Sequence, residues 1–548
     1  MRTVVVDAAL LRAWSRSATA QLRAASQELD DLNVFPVPDG DTGTNLLLTL
    51  AEATRGADAG GPGVHACARA LLRGALVGAR GSSGVIVSQY LRGLLGALVA
   101  PEGGEGAPVR APDPAARATT GAVDVTSDAL ARALHDAAEA AWTAVGTPVE
   151  GTVLSVARAV ARGAAEAAGA GAGPVDVLVA GLRAGGAALA VTPEQLPVLR
   201  HAGVLDAGGA GLLVVLRALA ECLGAGGAVV GAGPQVAASH GRVARHGDDE
   251  HGDADHGDAE HGHAEHGGEF EVMYVIEGTG GPRADVADGL RAALGRLGDS
   301  VVVVGGDGLW QAHVHTDRPA AAVAAAGDLG CRASQVRVRH LLAQSGVHGA
   351  HRPLVGVVAV TRAPGLLPDL ARAGAVVVLV PPGGVAGDEV GRAVEDTGAD
   401  HVLVLAPAGA LPGGAPPVSG PGTTVLADLD EVRVVVGAAT LATLASAAPA
   451  QDAVAALVDA VRAVRPGCVP APEDRRGVGG DGHAGAVLDT ALDLLGPEGT
   501  LLTAVLGAGT SPDVGERLVG GLAQRRAGVE VVVLAGGTPG ADVVLGAE

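Results

Sequence analysis

Two carboxylates two residues apart, Asp39 and Asp41, lie in the run Asn33-Val-Phe-Pro-Val-Pro-Asp-Gly-Asp-Thr-Gly-Thr-Asn45, which leads straight into an apolar helical segment. Hard oxygen donors at that spacing suit Mg²⁺. Gly40 and Gly43 permit unusual backbone angles and close approach, and Thr44 or Asn45 can cap a helix beginning at Leu46. The unpaired N–H groups of such a helix start attract phosphate oxygens. The chemistry this predicts is the holding of a metal-bound phosphate.

Three more loops of the same kind open helical segments. Gly78-Ala-Arg-Gly81-Ser82-Ser83-Gly84 precedes the apolar run Val85 to Leu95, Pro148-Val-Glu-Gly-Thr152 precedes another, and Leu205-Asp206-Ala-Gly208-Gly209-Ala-Gly211 enters Leu212 to Leu219. Taken singly, each reads most simply as a turn with a helix cap. Four in one helical region are less readily independent accidents.

A different constellation is Gln311-Ala-His313-Val-His315-Thr316-Asp317. As a strand it sets Gln311, His313 and His315 on one face and Ala312 and Val314 on the other. Paired imidazoles can bind zinc or polarise an acyl oxygen. Spacing alone equally allows two surface histidines on a half-exposed strand.

The elements that position these residues follow from periodicity. From Val6 to about Val230 apolar residues recur every three or four positions, with Gly-rich connectors at Gly60 to Gly63, Gly103 to Gly106 and Gly169 to Pro174, predicting a bundle of helices with a site at its loop ends. Ser239 to Gly268 repeats His-Gly-Asp-type pentads and reads as a flexible linker that could also capture Zn²⁺ or Ni²⁺. Beyond it strands alternate with helices. Phe270 to Glu277, Val301 to Val304 and Gln311 to Thr316 are expected as strands, with Val286 to Leu297 as a helix. A second α/β region with buried parallel strands begins near Val355, with Gly356 to Val360, Ala375 to Val380, His401 to Leu405, Thr500 to Val505 and Val529 to Leu534. The expected division is residues 1–232 helical, 233–268 linker, 269–345 middle α/β domain and 346–548 C-terminal α/β domain.

Composition removes several functions. The 548 residues contain no lysine, which excludes a Walker A loop, a protein-kinase strand lysine and Schiff-base chemistry. A formal net charge of −22 argues against a nucleic-acid binder. Cys67, Cys222, Cys331 and Cys468 are far apart and read as buried small hydrophobes rather than disulfides or a zinc ribbon. Without a signal-peptide pattern or an uninterrupted apolar span, a cytoplasmic protein with no stable membrane insertion is expected.

The four helix-entry motifs, together with Leu196-Pro-Val-Leu-Arg-His-Ala-Gly-Val-Leu-Asp-Ala-Gly-Gly209, resemble the kinase subunit of bacterial fatty acid kinase. The N-terminal region is similar to the DhaL-type nucleotide domain of dihydroxyacetone kinase. The resemblance implies an all-α eight-helix barrel binding ATP with Mg²⁺, Asp39 and Asp41 as magnesium ligands, and Asn33 where related kinases place a further acidic ligand. Thr42, Gly43, Thr44, Asn45, Gly81, Ser82, Ser83, Gly84, Thr152, Asp206 and Gly208 would surround the nucleotide. It further implies a zinc site at His313 and His315, both acting in catalysis. A cysteine completes that site in the family; here Glu271 is the nearest available ligand. The implied reaction is phosphorylation of the carboxylate of a fatty acid presented by a separate fatty-acid-binding protein, giving an acyl phosphate for phospholipid synthesis, in a homodimer. The alternatives are a dihydroxyacetone-type small-molecule kinase and a non-catalytic metal-binding scaffold. In the C-terminal region, Pro381-Pro-Gly-Gly-Val-Ala-Gly and Ala406-Pro-Ala-Gly replace the polar loops expected at a docking surface.

Overall fold

The computed structural model describes residues 2–99, 121–225, 268–277, 283–306, 308–341, 354–381, 384–385, 387–411, 422–444, 449–471, 480–540 and 542–548. It divides into two units, Met1–Gly267 and Gly268–Glu548. The expected linker, apart from Gly268, and the Gly103 to Gly106 connector lie outside the described residues.

The first unit is built on helices α1 (Ala8–Asp31), α2 (Thr42–Ala59), α3 (Val64–Val77), α4 (Gly81–Leu98), α5 (Ser127–Ala144), α6 (Val153–Gly169), α7 (Pro174–Ala190) and α10 (Ala207–Cys222), with short α8 (Thr192–Gln195) and α9 (Pro197–Ala202) before the last. Helix α1 shows why the sequence folds this way. Leu11, Trp14, Ala18, Leu22 and Leu29 recur at helical spacing and are buried, while the Asp7 carboxylate accepts from the Leu10 N–H at 2.8 Å and so caps the first turn. Each long helix packs on the next in sequence, α7 packs on α10, and α10 packs back on α1, so the eight close into a ring. Trp14 seals that last seam, its indole N–H donating to the Val215 carbonyl at 2.9 Å. This is the expected all-α barrel.

A two-stranded antiparallel ribbon, β1 (Thr3–Val6) with β2 (Val123–Thr126), was not expected. Four-residue strands are too short for alternation to register. The helices also begin earlier than expected. Helix α2 starts at Thr42 rather than Leu46, with Asp41 at its cap, and α4 starts at Gly81, so Ser82 and Ser83 belong to its first turn.

With few aromatic side chains the core depends on close helix approach. A Cβ at Gly43 would lie 2.2 Å from the Ser26 carbonyl oxygen and 2.8 Å from Leu29 Cβ, both on α1. Gly43→Ala therefore forces α2 away from α1. We expect a loss of about 1–3 kcal/mol, measured as a lower midpoint of denaturant unfolding.

The second unit contains β3 (Phe270–Glu277), α11 (Arg283–Leu294), β4 (Gly298–Gly306), β5 (Leu309–Thr316), α12 (Pro319–Asp328), β6 (Arg332–His340), β7 (Val355–Thr361), α13 (Leu367–Arg372), β8 (Val376–Leu379), α14 (Gly387–Asp396), β9 (His401–Pro407), β10 (Thr423–Leu429), α15 (Glu431–Thr443), α16 (Ala450–Ala463), β11 (Arg465–Val469), α17 (Gly480–Leu495), β12 (Leu501–Leu506), α18 (Pro512–Arg525), β13 (Glu530–Ala535) and β14 (Val543–Ala547). Eight of the strands form one sheet in the order β10-β9-β7-β8-β6-β3-β5-β4. Strands β3 to β6 pair antiparallel and β7 to β10 parallel, joined where β6 meets β8 antiparallel. The division expected between residues 345 and 346 thus falls between two strands of one continuous sheet. A separate four-stranded sheet, ordered β11-β14-β12-β13, carries the predicted Thr500 to Val505 and Val529 to Leu534 strands as its parallel pair.

All four cysteines are free thiols. Cys67 is buried as expected, Cys222 and Cys331 are half-buried, and Cys468 is exposed, which corrects the reading of all four as core residues. The edge strand β11 that carries Cys468 has four of its five residues outside the buried core.

Candidate functional site

The four helix-entry motifs, far apart in sequence, meet at one end of the barrel. A Cβ at Gly81 would lie 2.3 Å from Asn45 Nδ2, and one at Gly84 would lie 2.3 Å from Thr49 Oγ1, so the start of α4 rests against the first two turns of α2. The Arg80 N–H also donates to Thr49 Oγ1 at 3.1 Å. On the other side of α2, Gly211 of α10 approaches Leu46, where a Cβ would come within 2.2 Å of Leu46 Cδ1. Gly208 and Gly209 of α10 in turn lie against Val153 and Val156 of α6. Gly81, at φ +56°, has the backbone that favours glycine. Ser82 and Ser83 are half-buried there.

Hydrogen bonds fix the acidic loop from within. Asn33 Nδ2 donates to Asp39 and to the Val37 carbonyl, and the Thr42 hydroxyl donates to Asn33 Oδ1. The Asn33 amide is thus committed to holding Asp39 and the start of α2. Asp41 accepts from Asn45 Nδ2 at 2.7 Å, and Asp41's carbonyl accepts the Asn45 N–H at the same distance.

A further carboxylate at this loop is not apparent from the motifs. Asp30, in the last turn of α1, accepts from the Thr44 N–H at 3.0 Å and the Thr44 hydroxyl at 2.7 Å. Burial raises its pKa to about 6 against the opposing Thr44 bonds, and the Asp41 charge pushes the same way. The signal in the sequence is the Asp30-Asp31 doublet, since acidic residues at a helix C-terminus oppose the helix dipole and need another reason to be there. A buried carboxylate whose pKa is raised further by a neighbouring carboxylate fits a dication, whose charge would relieve the repulsion.

At the other two motifs, Thr152 caps α6 and Asp206 caps α10. Asp206 Oδ2 accepts from the Gly209 N–H at 2.6 Å, its own N–H donates to Thr192 Oγ1 at 3.2 Å, and it also accepts from the backbone of Val153. It therefore ties α6 and α10 together. Burial raises its pKa to about 7, the two backbone bonds opposing.

The histidine strand lies in the second unit. Ala312 and Val314 enter the apolar core as expected, but Gln311, His313 and His315 on the opposite face are also buried, the imidazoles at 0% and 4% exposure. Surface histidines are thereby ruled out. His313 Nε2 lies 3.1 Å from His315 Nε2, the rings meeting edge to face, and Glu271 Oε1 lies 3.5 Å from His313 Nδ1. Among the described residues, Glu271, His313 and His315 are the set of three whose ligand atoms lie within 4.8 Å of one another. Both Nδ1 atoms are buried without a hydrogen-bond partner. Burial lowers both histidine pKa values, that of His315 to about 4, which keeps the imidazoles neutral as metal ligands require. Burial would raise the Glu271 pKa, but the charge and hydrogen bond of the Arg339 guanidinium oppose it and the carboxyl is held below its usual range. Donor set, orphaned ring nitrogens and protonation all fit zinc.

Comparison with known proteins follows the same two units. Residues 36–221 match the DAK2 domain. Residues 267–347 match the middle domain of proteins like the A chain of fatty acid kinase. Protein YloV of Bacillus subtilis (strain 168) is 30% identical over 297 residues, covering 53% of this chain and 48% of its own. An uncharacterized protein of Staphylococcus epidermidis is 30% identical over 294 residues, covering 53% and 47%, and one of Staphylococcus aureus (strain USA300) is 28% identical over 294, covering 53% and 48%. The chain spans about half the length of the curated relatives it matches. The DAK2 region contains the helix-entry motifs at the barrel end from Pro36 onward, and the middle-domain region contains Glu271, His313 and His315. Among the described residues no helix is long and apolar enough to cross a membrane.

Proposed function

We propose that this chain is an ATP-dependent kinase that phosphorylates the carboxylate of a fatty acid presented by a separate fatty-acid-binding protein. The observation that carries the reading is the convergence of four Gly/Ser/Thr/Asp helix starts on the acidic loop, in a region that matches the DAK2 domain and is followed by a fatty-acid-kinase-like middle domain. Asp39 and Asp41, with Asp30 beside them, would hold Mg²⁺. Thr42, Gly43, Thr44, Asn45, Gly81 to Gly84, Thr152, Asp206 and Gly208 would line the nucleotide. Bound Mg-ATP supplies the transferable phosphoryl group with its charge partly neutralised.

The chain's own contribution is positioning. Asn33 and Asn45 orient Asp39 and Asp41, and Thr44 holds Asp30 against the start of α2. Glycines at the helix starts let backbone N–H groups approach phosphate oxygens, which replaces the absent lysine. Glu271, His313 and His315 would hold zinc in the second unit. A fatty acid delivered by a partner needs no aromatic-lined lipid pocket in this chain, which agrees with its scarcity of aromatic residues.

The test is ATP consumption by purified protein with a fatty-acid-loaded binding protein, with dihydroxyacetone as the competing acceptor. Acyl phosphate formation supports the reading; phosphorylation of dihydroxyacetone alone replaces it, and no turnover with either sinks it. Deletion of residues 240–268 should leave turnover unchanged within about twofold, since their His-Gly-Asp-type pentads contain few apolar side chains and none of the expected nucleotide or magnesium residues. Loss of turnover confined to limiting zinc would instead give those histidines a metal-capture role.

A further inference from the structure

The strand register sets Arg339, Glu271, His315 and Asp299 in one row across β6, β3, β5 and β4, with His313 one pair along on the same face. Directly opposed residues on one face are near enough for their side chains to interact. Within that row Glu271 faces two ways. Its Oε2 accepts from Arg339 Nε at 2.6 Å and pairs with the same guanidinium through a second nitrogen, while Oε1 lies toward His313. The Arg339 side chain is 11% exposed and that of Glu271 5%, so water screens their interaction little.

We propose that Arg339 is a resident cation that competes electrostatically with a divalent metal for Glu271, so that the Glu271/His313/His315 set takes up and releases metal instead of holding it permanently. This rests on the reading of those three residues as the metal set. Charge counting gives the reason. With neutral imidazoles, the Glu271–Arg339 pair sums to zero, and a dication raises the buried site to +2. Without the guanidinium the same site is −1 when empty and +1 when loaded. A buried carboxylate stripped of its partner is the costlier state, and a metal ion relieves it. Arg339 therefore stabilises the metal-free form and penalises the loaded one. It is a positioning residue, because it acts through Glu271 and does not supply a ligand itself.

The experiment is Zn²⁺ titration of the full chain against a chromophoric chelator. His313→Ala/His315→Ala defines the background from the His-rich segment, and the signal above it is the site. Arg339→Met should tighten that component at least tenfold, and Arg339→Lys, which keeps the charge, should leave it near wild type. In the Glu271→Gln background Arg339→Met should gain nothing. A thermal melt of Arg339→Lys checks that position 339 tolerates substitution. Site binding that is present in the wild type but unchanged or weakened by Arg339→Met overturns the proposal and spares the metal site. Binding no stronger than background in both the wild type and Arg339→Met overturns the metal site itself.

Discussion

Asp41→Ala is expected to lower ATP turnover on the order of a hundredfold or more, the scale seen when a group that stabilises transferring charge is removed. Asp41 stands at the cap of α2, beside Asp39 and near enough to Asp30 to raise its pKa, so its charge is central to the acidic loop. The structural cost should be confined to one hydrogen bond. Asn45, only 4% exposed, loses the acceptor of its Nδ2, a change of about 1–3 kcal/mol. Asp41→Asn separates the two effects, because it keeps a hydrogen-bonding oxygen and loses the charge. Turnover measured against Mg²⁺ concentration should fall for both variants, with circular dichroism unchanged. Full activity in Asp41→Asn would remove the metal-ligand role.

The second large effect is in stability. Asp206 has a folded-state pKa of about 7 because burial disfavours its charge, against an ordinary value near 3.8 in the unfolded chain. The native state therefore holds this proton more tightly than the unfolded state. Between about pH 4 and pH 7 the contribution of Asp206 is present at the acid end and is lost as pH rises toward 7, by at most about 4 kcal/mol. Asp206→Asn has no charge to bury, and its amide oxygen can still accept from Gly209. Urea unfolding at pH 4.5 and pH 8 should show the variant gaining on the wild type at the higher pH. Equal pH dependence in the two proteins would refute the assignment. Asp206→Ala, which leaves the Gly209 N–H without its acceptor, should instead be less stable than Asp206→Asn at both pH values.

Much of this arrangement is legible in the residues, and the exceptions have physical causes. Phe270 to Glu277 can be placed to the residue because both of its faces are buried and its apolar side chains dominate the run. Strand β6 is not expected although Val336 and Val338 alternate with Arg337 and Arg339, since arginines on the second face suggest solvent. In the fold Arg337 is buried against Asp396 and Arg339 is largely covered beside Glu271, partners that lie far away in sequence. The choice of Glu271 as third ligand needs only the antiparallel pairing of two strands already identified. Asp30 needs more, because its contact with Thr44 depends on how the loop between α1 and α2 doubles back. Convergence of the four helix starts follows from helix order in a closed ring, which loop motifs suggest but cannot specify. Asn33 is expected at a metal position, and in the structure its amide donates to Asp39 and accepts from the Thr42 hydroxyl, partners that the motif alone does not specify.

Closure of the ring through α10 has a consequence for synthesis. The Trp14 indole waits for the carbonyl of Val215, a partner 201 positions further along the chain, and Asp206 arrives with the same helix. A nascent chain that has emerged only as far as α7 exposes the apolar flanks of α1 and α7 and lacks one wall of the barrel end where the helix starts meet. Ribosome-bound intermediates of this region should therefore be protease-sensitive until α10 clears the exit tunnel, and become resistant in a single late step.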